Sequence, residues 1–247
     1  MRAAALVAVG GPHDNVAQFL GYSFGPTPFM AFEFCPLGCL KDHLRLQPVP
    51  PAQQLAFLED IAAGMAYVHR HGVVHRDLKA ANVLVAPHRG ECPSPDVSLV
   101  AKVADFGLAK VLPHPEAGDK ADEHRHAGRG SAALRHTAET GTYRWMAPEV
   151  LAHRPYGLPV DVYSYSIVIF EVLVGEAPYS GLSSVEAAIA VCRDGLRPSF
   201  PFEALPEPLR PLPELAAACW ATQPEARPGF GEIVLVLQGI QAGVHQR

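Results

Sequence analysis

The sequence predicts an α+β fold: a few short strands near the N-terminus and a mainly helical remainder. Three observations predict it. Apolar residues recur at helical spacing in several long segments from Ala52 onwards. Two short β-rich runs, residues 16–21 and 29–34, precede them and are joined by Gly25-Pro26-Thr27-Pro28, whose glycine and prolines favour a turn. A second pair of short apolar runs, residues 82–85 and 100–103, reads as a hairpin of strands.

Taken in order, Cys35-Pro36-Leu37-Gly38 connects the first strands to the helical part. Leu55, Leu58, Ile61, Met65 and Val68 lie on one helical face, with Pro51 at its start and Gly72 just past its end. That pattern predicts one long amphipathic helix delivering the chain to His75. Residues 86–98 hold three prolines and one glycine and read as a surface loop. Residues 113–136, rich in His, Gly, Ala and charge, read as irregular. Residues 162–174, 214–221 and 230–240 read as helices, the last through Ile233, Val234, Leu237 and Ile240. There are no internal repeats.

With 247 residues and 49% hydrophobic composition, the chain can bury a core of its own, and one domain is expected. A net charge of -5 supplies no basic field, which disfavours nucleic acid as a partner. The five cysteines show no C-x-x-C spacing and are odd in number, which points to a reduced, intracellular and cytoplasmic setting. Apolar runs are interrupted within a few residues, as Glu171 interrupts residues 167–174, so none approaches the roughly 20 residues of a membrane span. Residues 1–9 carry one basic residue and no clear cleavage site, and read as the end of a helix and not as a signal peptide.

The chemistry lies in an ordered series: His75-Arg76-Asp77-Leu78-Lys79-Ala80-Ala81-Asn82, then Asp105-Phe106-Gly107, then Gly141-Thr142 through Trp145-Met146-Ala147-Pro148-Glu149. Phosphoryl transfer from a nucleotide needs a carboxylate to orient the acceptor hydroxyl, a cation to neutralise charge, and oxygen ligands for magnesium. Asp77, Lys79, Asn82 and Asp105 are of those types, in that order. Each has a plainer reading: Asp77 and Asn82 as turn residues, Lys79 as a solvated surface lysine. The ordered combination favours the chemical one. His114, His124, His126 and His136, spaced ten, two and ten apart, lack the compact paired spacing of a zinc site and read as a titratable loop. Trp220 is expected in the core and Arg227 paired with Glu149.

From Phe29 to Gln238 the chain resembles the protein kinase superfamily, and within it the Raf-like or mixed-lineage group found among plant-type MAP kinase kinase kinases. Thr137 through Glu149, Pro155-Tyr156, Asp161-Val162-Tyr163-Ser164, Gly195-Leu196-Arg197-Pro198, Cys219-Trp220 and Arg227-Pro228 carry that resemblance. It implies a kinase-like fold with residues 1–34 as the last part of a small lobe, 35–241 as hinge and large lobe, and 242–247 as a tail. It implies Asp77 as catalytic base, Lys79 on the transferred phosphoryl group, and Asn82 and Asp105 as ligands of Mg2+ beside ATP. Glu33 to Cys35 would be the adenine-facing hinge, Phe32 the guard of the rear pocket and Leu84 the floor. His75 and Phe106, followed by Gly107, would stack beneath the site, and Asp161 would anchor the catalytic loop. Thr137 and Thr140 fall in the activation segment, with Arg76 as partner for a phosphate on Thr137. Lys79 together with Thr142 implies serine or threonine as acceptor; members of this group are sometimes dual-specific, so tyrosine stays open. A protein substrate and an upstream activating kinase are the implied partners.

The sequence departs from that pattern in two ways. Ser166 stands where the family usually has glycine. No G-x-G-x-x-G is present, and the first lysine, Lys41, and first glutamate, Glu33, are too late to form the small-lobe ion pair. Two expectations therefore stay open: a working ATP-dependent kinase, or a binding and regulatory module that holds ATP weakly. The strands of residues 16–34 are expected to leave open edges and exposed apolar faces.

Overall fold

The computed structural model describes residues 11–25, 27–88, 98–112 and 142–245. Thr137, Thr140 and the four histidines His114, His124, His126 and His136 lie outside the described residues, as do residues 1–10 and most of the expected loops 86–98 and 113–136.

β1 (Phe19–Ser23) and β2 (Phe29–Phe32) form an antiparallel hairpin with an irregular register between Phe19 and Gly21. Its apolar side chains are largely open to solvent, with Leu20 and Phe29 each 60% exposed, as the sequence led us to expect. The segment before it is held differently. Val16 bridges Val103 in parallel, the Ala17 N–H donates to the Val103 carbonyl at 2.8 Å, and the Val103 N–H donates to the Asn15 carbonyl at 2.9 Å. The expected first strand thus splits into this single bridge and a later strand.

α1 (Leu40–Leu46) follows the connector, and α2 (Pro51–Arg70) is the predicted long helix. Proline tolerates the first helical turn, and Leu55, Leu58, Ile61, Met65 and Val68 are all buried. Gly72, with φ of 67°, turns the chain into β3 (Val73–Val74). β4 (Val83–Pro87) and β5 (Leu99–Val103) form the predicted hairpin, and β6 (Lys110–Val111) pairs back to β3.

α3 (Pro148–Leu151) and α4 (Pro159–Val174) come next. Every residue of α4 from Val160 to Val172 is buried, so the helix is central and has no solvent face over that stretch, its polar residues Asp161, Ser164, Ser166 and Glu171 included. α5 (Ser184–Arg193), α6 (Leu212–Cys219) and α7 (Phe230–His245) surround it. The main core joins α2, α4, α6 and α7 with the β4–β5 hairpin, while Val74, Ala147, Val160, Tyr163, Ile167 and Val191 form a second cluster.

The helices α1, α3 and α5 were not read from the sequence, and α7 continues five residues beyond Ile240. Trp220 is only partly buried and packs against both clusters, because it caps the end of α6. Ser166 is fully buried and donates its hydroxyl to the Tyr163 carbonyl at 2.6 Å, which satisfies the extra polar atom within the helix. Among the described residues, no helix is long and apolar enough to cross a membrane.

Candidate active site

A buried carboxylate organises the site. Asp161, fully buried in the first turn of α4, accepts the backbone N–H groups of His75 and Arg76, both at 2.8 Å, while His69 Nε2 lies 2.9 Å from its Oδ2. Burial alone would push this carboxyl up, but the His69 contact and the surrounding charges and N–H groups outweigh it and hold it below its usual value. Arg76 has φ of 67°, a conformation costly for a residue with a Cβ. The two N–H groups converging on one carboxylate hold it there.

That twist presents the next residues as a tight cluster. Lys79 Nζ donates to both carboxylate oxygens of Asp77 and to the Thr142 hydroxyl, each at 3.0 Å. The Asn82 amide donates to the Asp77 carbonyl and to Asp77 Oδ2, both at 2.8 Å. Asp77, Lys79, Asn82 and Thr142 are therefore gathered at one point, with charge-assisted bonds throughout.

Asp105 reaches the same place through the backbone. The Ala104 N–H donates to the Asn82 carbonyl at 2.9 Å, which sets Asp105 beside the cluster. Asp105 is left-handed at φ 57°, exposed, and accepts the Gly107 N–H at 3.1 Å. Beneath it the His75 and Phe106 rings meet edge to face at 4.9 Å, and His75 Nε2 lies 2.9 Å from the Ala104 carbonyl. Asn82 gives its side-chain amide hydrogens to Asp77, so its side-chain Oδ1 and the exposed Asp105 carboxylate are what the cluster offers a cation. Hard oxygen donors of this kind fit magnesium.

Of the expected base-binding residues, Leu84 lies on β4 and Glu33 meets β5 through Lys102. Cys39 bridges Leu84, and the Val85 N–H donates to the Gly38 carbonyl at 2.9 Å, so the connector runs alongside Leu84. Cys35 is buried, and burial pushes its thiol up. Glu33 pairs with Lys102 at 3.2 Å. Phe32 is half-exposed and packs on Phe19 at 5.5 Å.

Arg76 gives its Nε to the Leu108 carbonyl and its Nη1 to the Tyr156 hydroxyl at 3.1 Å, so its side chain faces the segment leading out of Asp105-Phe106-Gly107. Arg227 grips Glu149 with both terminal nitrogens, at 2.6 and 3.0 Å, as expected.

Sequence reasoning missed Glu171. Buried in the last turn of α4, its Oε2 accepts the Ala80 N–H and the Trp145 indole N–H, both at 2.9 Å, tying the loop that carries Lys79 to the segment that carries Thr142. Burial pushes its carboxyl up to about 7. A lone glutamate in an apolar run was the available signal. His69 and Lys102 were missed as well.

A family model described as protein tyrosine and serine/threonine kinase matches residues 1–237. The chain is 41% identical over 228 residues to the serine/threonine-protein kinase STY17 of Arabidopsis thaliana, covering 91% of this chain and 34% of that protein. It is 33% identical over 230 residues to the serine/threonine/tyrosine-protein kinase HT1 of Arabidopsis thaliana, covering 92% of this chain and 51% of that protein. With mitogen-activated protein kinase kinase kinase 12 of Rattus norvegicus it shares 32% over 234 residues, 94% of this chain and 23% of that protein. The chain spans about a third of the length of STY17 and of the related STY46.

Proposed function

Since the chain belongs to the protein tyrosine and serine/threonine kinase family, we propose that it transfers the terminal phosphoryl group of ATP to serine or threonine hydroxyls of protein substrates, with tyrosine as a second acceptor. The observation that supports this most is the convergence of Asp77, Lys79, Asn82 and Thr142, with Asp105 attached through Ala104.

In this reading Asp77 orients the acceptor hydroxyl and takes its proton as the oxygen bonds to phosphorus and the bond from phosphorus to the departing ADP oxygen breaks. The bonds to the Asp77 carboxylate come from Lys79 and Asn82, so an entering hydroxyl displaces one bond from Lys79, which is then free to follow the charge onto the phosphoryl group. Asn82 and Asp105 would hold magnesium, which when bound neutralises charge on the phosphates. Glu33, Cys35, Phe32 and Leu84 would receive the adenine. The residues 35–241 act as hinge and catalytic lobe. A phosphate on Thr137, placed there by an upstream kinase or by the chain itself, would be received by Arg76 in exchange for Tyr156. Thr140 is a second candidate acceptor in the same segment.

Radiolabelled phosphotransfer by the full chain, beside an Asp77→Asn control, tests the reading. Loss of a catalytic base costs on the order of a hundredfold or more, and where the chain modifies itself, mass spectrometry of the same preparations should find phosphothreonine at Thr137 only with Asp77 intact. Equal residual signal from the two proteins would leave a binding or regulatory module instead.

A further inference from the structure

Resting on that reading of the cleft, we propose that Lys102 and Glu33 form a positioning pair that fixes the base end of the nucleotide site and sets its preference for adenine over guanine nucleotides.

Lys102 stands in the middle of β5, three residues before Asp105, and is only 4% exposed. A lysine in that setting has lost the water that normally surrounds its ammonium, so it needs a partner. The register pairs it directly with Leu84 across the antiparallel hairpin. Opposed residues of such a pair share a face of the sheet, so the stem of Lys102 lies beside the side chain assigned to the floor of the base pocket. Its ammonium sits 3.2 Å from Glu33 Oε1.

Glu33 is itself latched. The same Oε1 accepts the Gln18 N–H at 2.6 Å, and the Glu33 N–H donates to the Gln18 carbonyl at 2.9 Å. Gln18 follows Ala17, whose N–H donates to the Val103 carbonyl at 2.8 Å. The contacts close a ring: Lys102 to Glu33, Glu33 to Gln18, Ala17 to Val103, and Val103 back to Lys102 along the strand. One corner of the ring is the hinge and another is the strand that ends at Val103, two residues before Asp105.

An apolar residue in place of Lys102 would fill this space without taking an ammonium out of water, while Glu33 keeps 24% of its side chain exposed, so stability alone gives no reason for the ions. Position does. The adenine edge presents an amino donor where guanine presents a carbonyl acceptor, and backbone atoms read that difference only if they are held still. Lys102 holds the hinge by its charge, acting through Glu33 on the base and not on the phosphates.

The test compares affinities of the full chain for MgATP and MgGTP, each measured by displacement of a fluorescent nucleotide, in the wild type and in Lys102→Met. Thermal unfolding checks that the variant is folded. The two nucleotides carry the same triphosphate, so a general loosening weakens both. We expect ATP affinity to fall about tenfold, the scale of one well-placed hydrogen bond, with GTP affinity little changed, so that the preference narrows. Lys102→Arg should restore it. Glu33→Gln, which keeps an acceptor for Gln18 and removes the charge, should narrow it as Lys102→Met does and serves if that variant does not fold. A wild-type preference retained in both charge-removing variants overturns the role of the pair alone. A wild type that binds neither nucleotide overturns the proposed kinase activity along with it.

Discussion

Glu171 and Asp161 sit on the same helix, both buried, and the surroundings move their carboxyls in opposite directions. Asp161 gains a histidine and two backbone N–H groups on separate oxygens and is held low; Glu171 has both of its donors on one oxygen, and burial dominates. The folded protein therefore holds the Glu171 proton more tightly than the unfolded chain does. The stability that comes with the neutral carboxyl is fully present below about pH 4.5 and is lost as pH rises through about 7. The difference between 4.5 and about 7 corresponds to about 3 kcal/mol at most. Asp60, pushed up to about 6 by burial, acts in the same direction, while the lowered His43 acts against it. The informative quantity is thus the difference between two proteins. Glu171→Gln stays neutral and keeps an acceptor for Ala80 and Trp145, so its stability relative to wild type should climb between pH 5 and pH 8 by up to that amount in urea titrations. A constant difference across that range would mean that Glu171 is not protonated in the folded state.

At the level of elements, α2 and the segment before β1 show how closely two backbones approach. A Cβ built on Gly64 would lie 2.3 Å from the Asn15 carbonyl oxygen, the same oxygen that accepts the Val103 N–H. Asn15 also reaches the Ala101 carbonyl with its amide at 3.3 Å, and Asp60, one turn away on α2, accepts the Ala101 N–H at 2.9 Å. Gly64→Ala should therefore push the segment off β5 and cost about 1–3 kcal/mol, less about 1 kcal/mol from alanine's better helix propensity. A lowered urea midpoint, with loss of amide protection at Val103, is the expected result; an unchanged midpoint would place the segment farther from α2. The long α2 was legible because five buried side chains repeat on one face over twenty residues. α1 is seven residues long and offers too few turns for a period to emerge. α5 was readable in principle: Ser183 and Glu186 form a complete capping box, each side chain bonding the other's backbone N–H.

For the molecule as a whole, the polar cluster was legible because its members are close in sequence or belong to an ordered series, whereas Glu171, His69 and Lys102 act across 91, 92 and 69 positions on partners that only the fold brings near. Arg227 and Glu149, 78 positions apart, are the exception, recovered through resemblance and not through any local pattern. Their pair joins the approach to α7 with α3 and the start of α4. Arg227, whose guanidinium is fully buried, holds both Glu149 oxygens, donates to the Ala221 carbonyl at 2.9 Å and to the Pro159 carbonyl at 3.0 Å, and lies 5.3 Å from the centre of the Tyr163 ring. Removing it strands a buried carboxylate and two carbonyls, which places the cost of Arg227→Met at about 3–5 kcal/mol. Glu149→Gln should cost less, since its amide oxygen still accepts one of the two bonds. The double variant Arg227→Met with Glu149→Met removes the stranded charge and should recover a large part of the loss, because most of the single-variant cost is unpaired charge and not lost attraction. Urea unfolding of the wild type, Arg227→Met, Glu149→Met and the double variant measures that coupling. Additive losses would show that the two side chains act independently, the guanidinium holding the second cluster through Ala221, Pro159 and Tyr163.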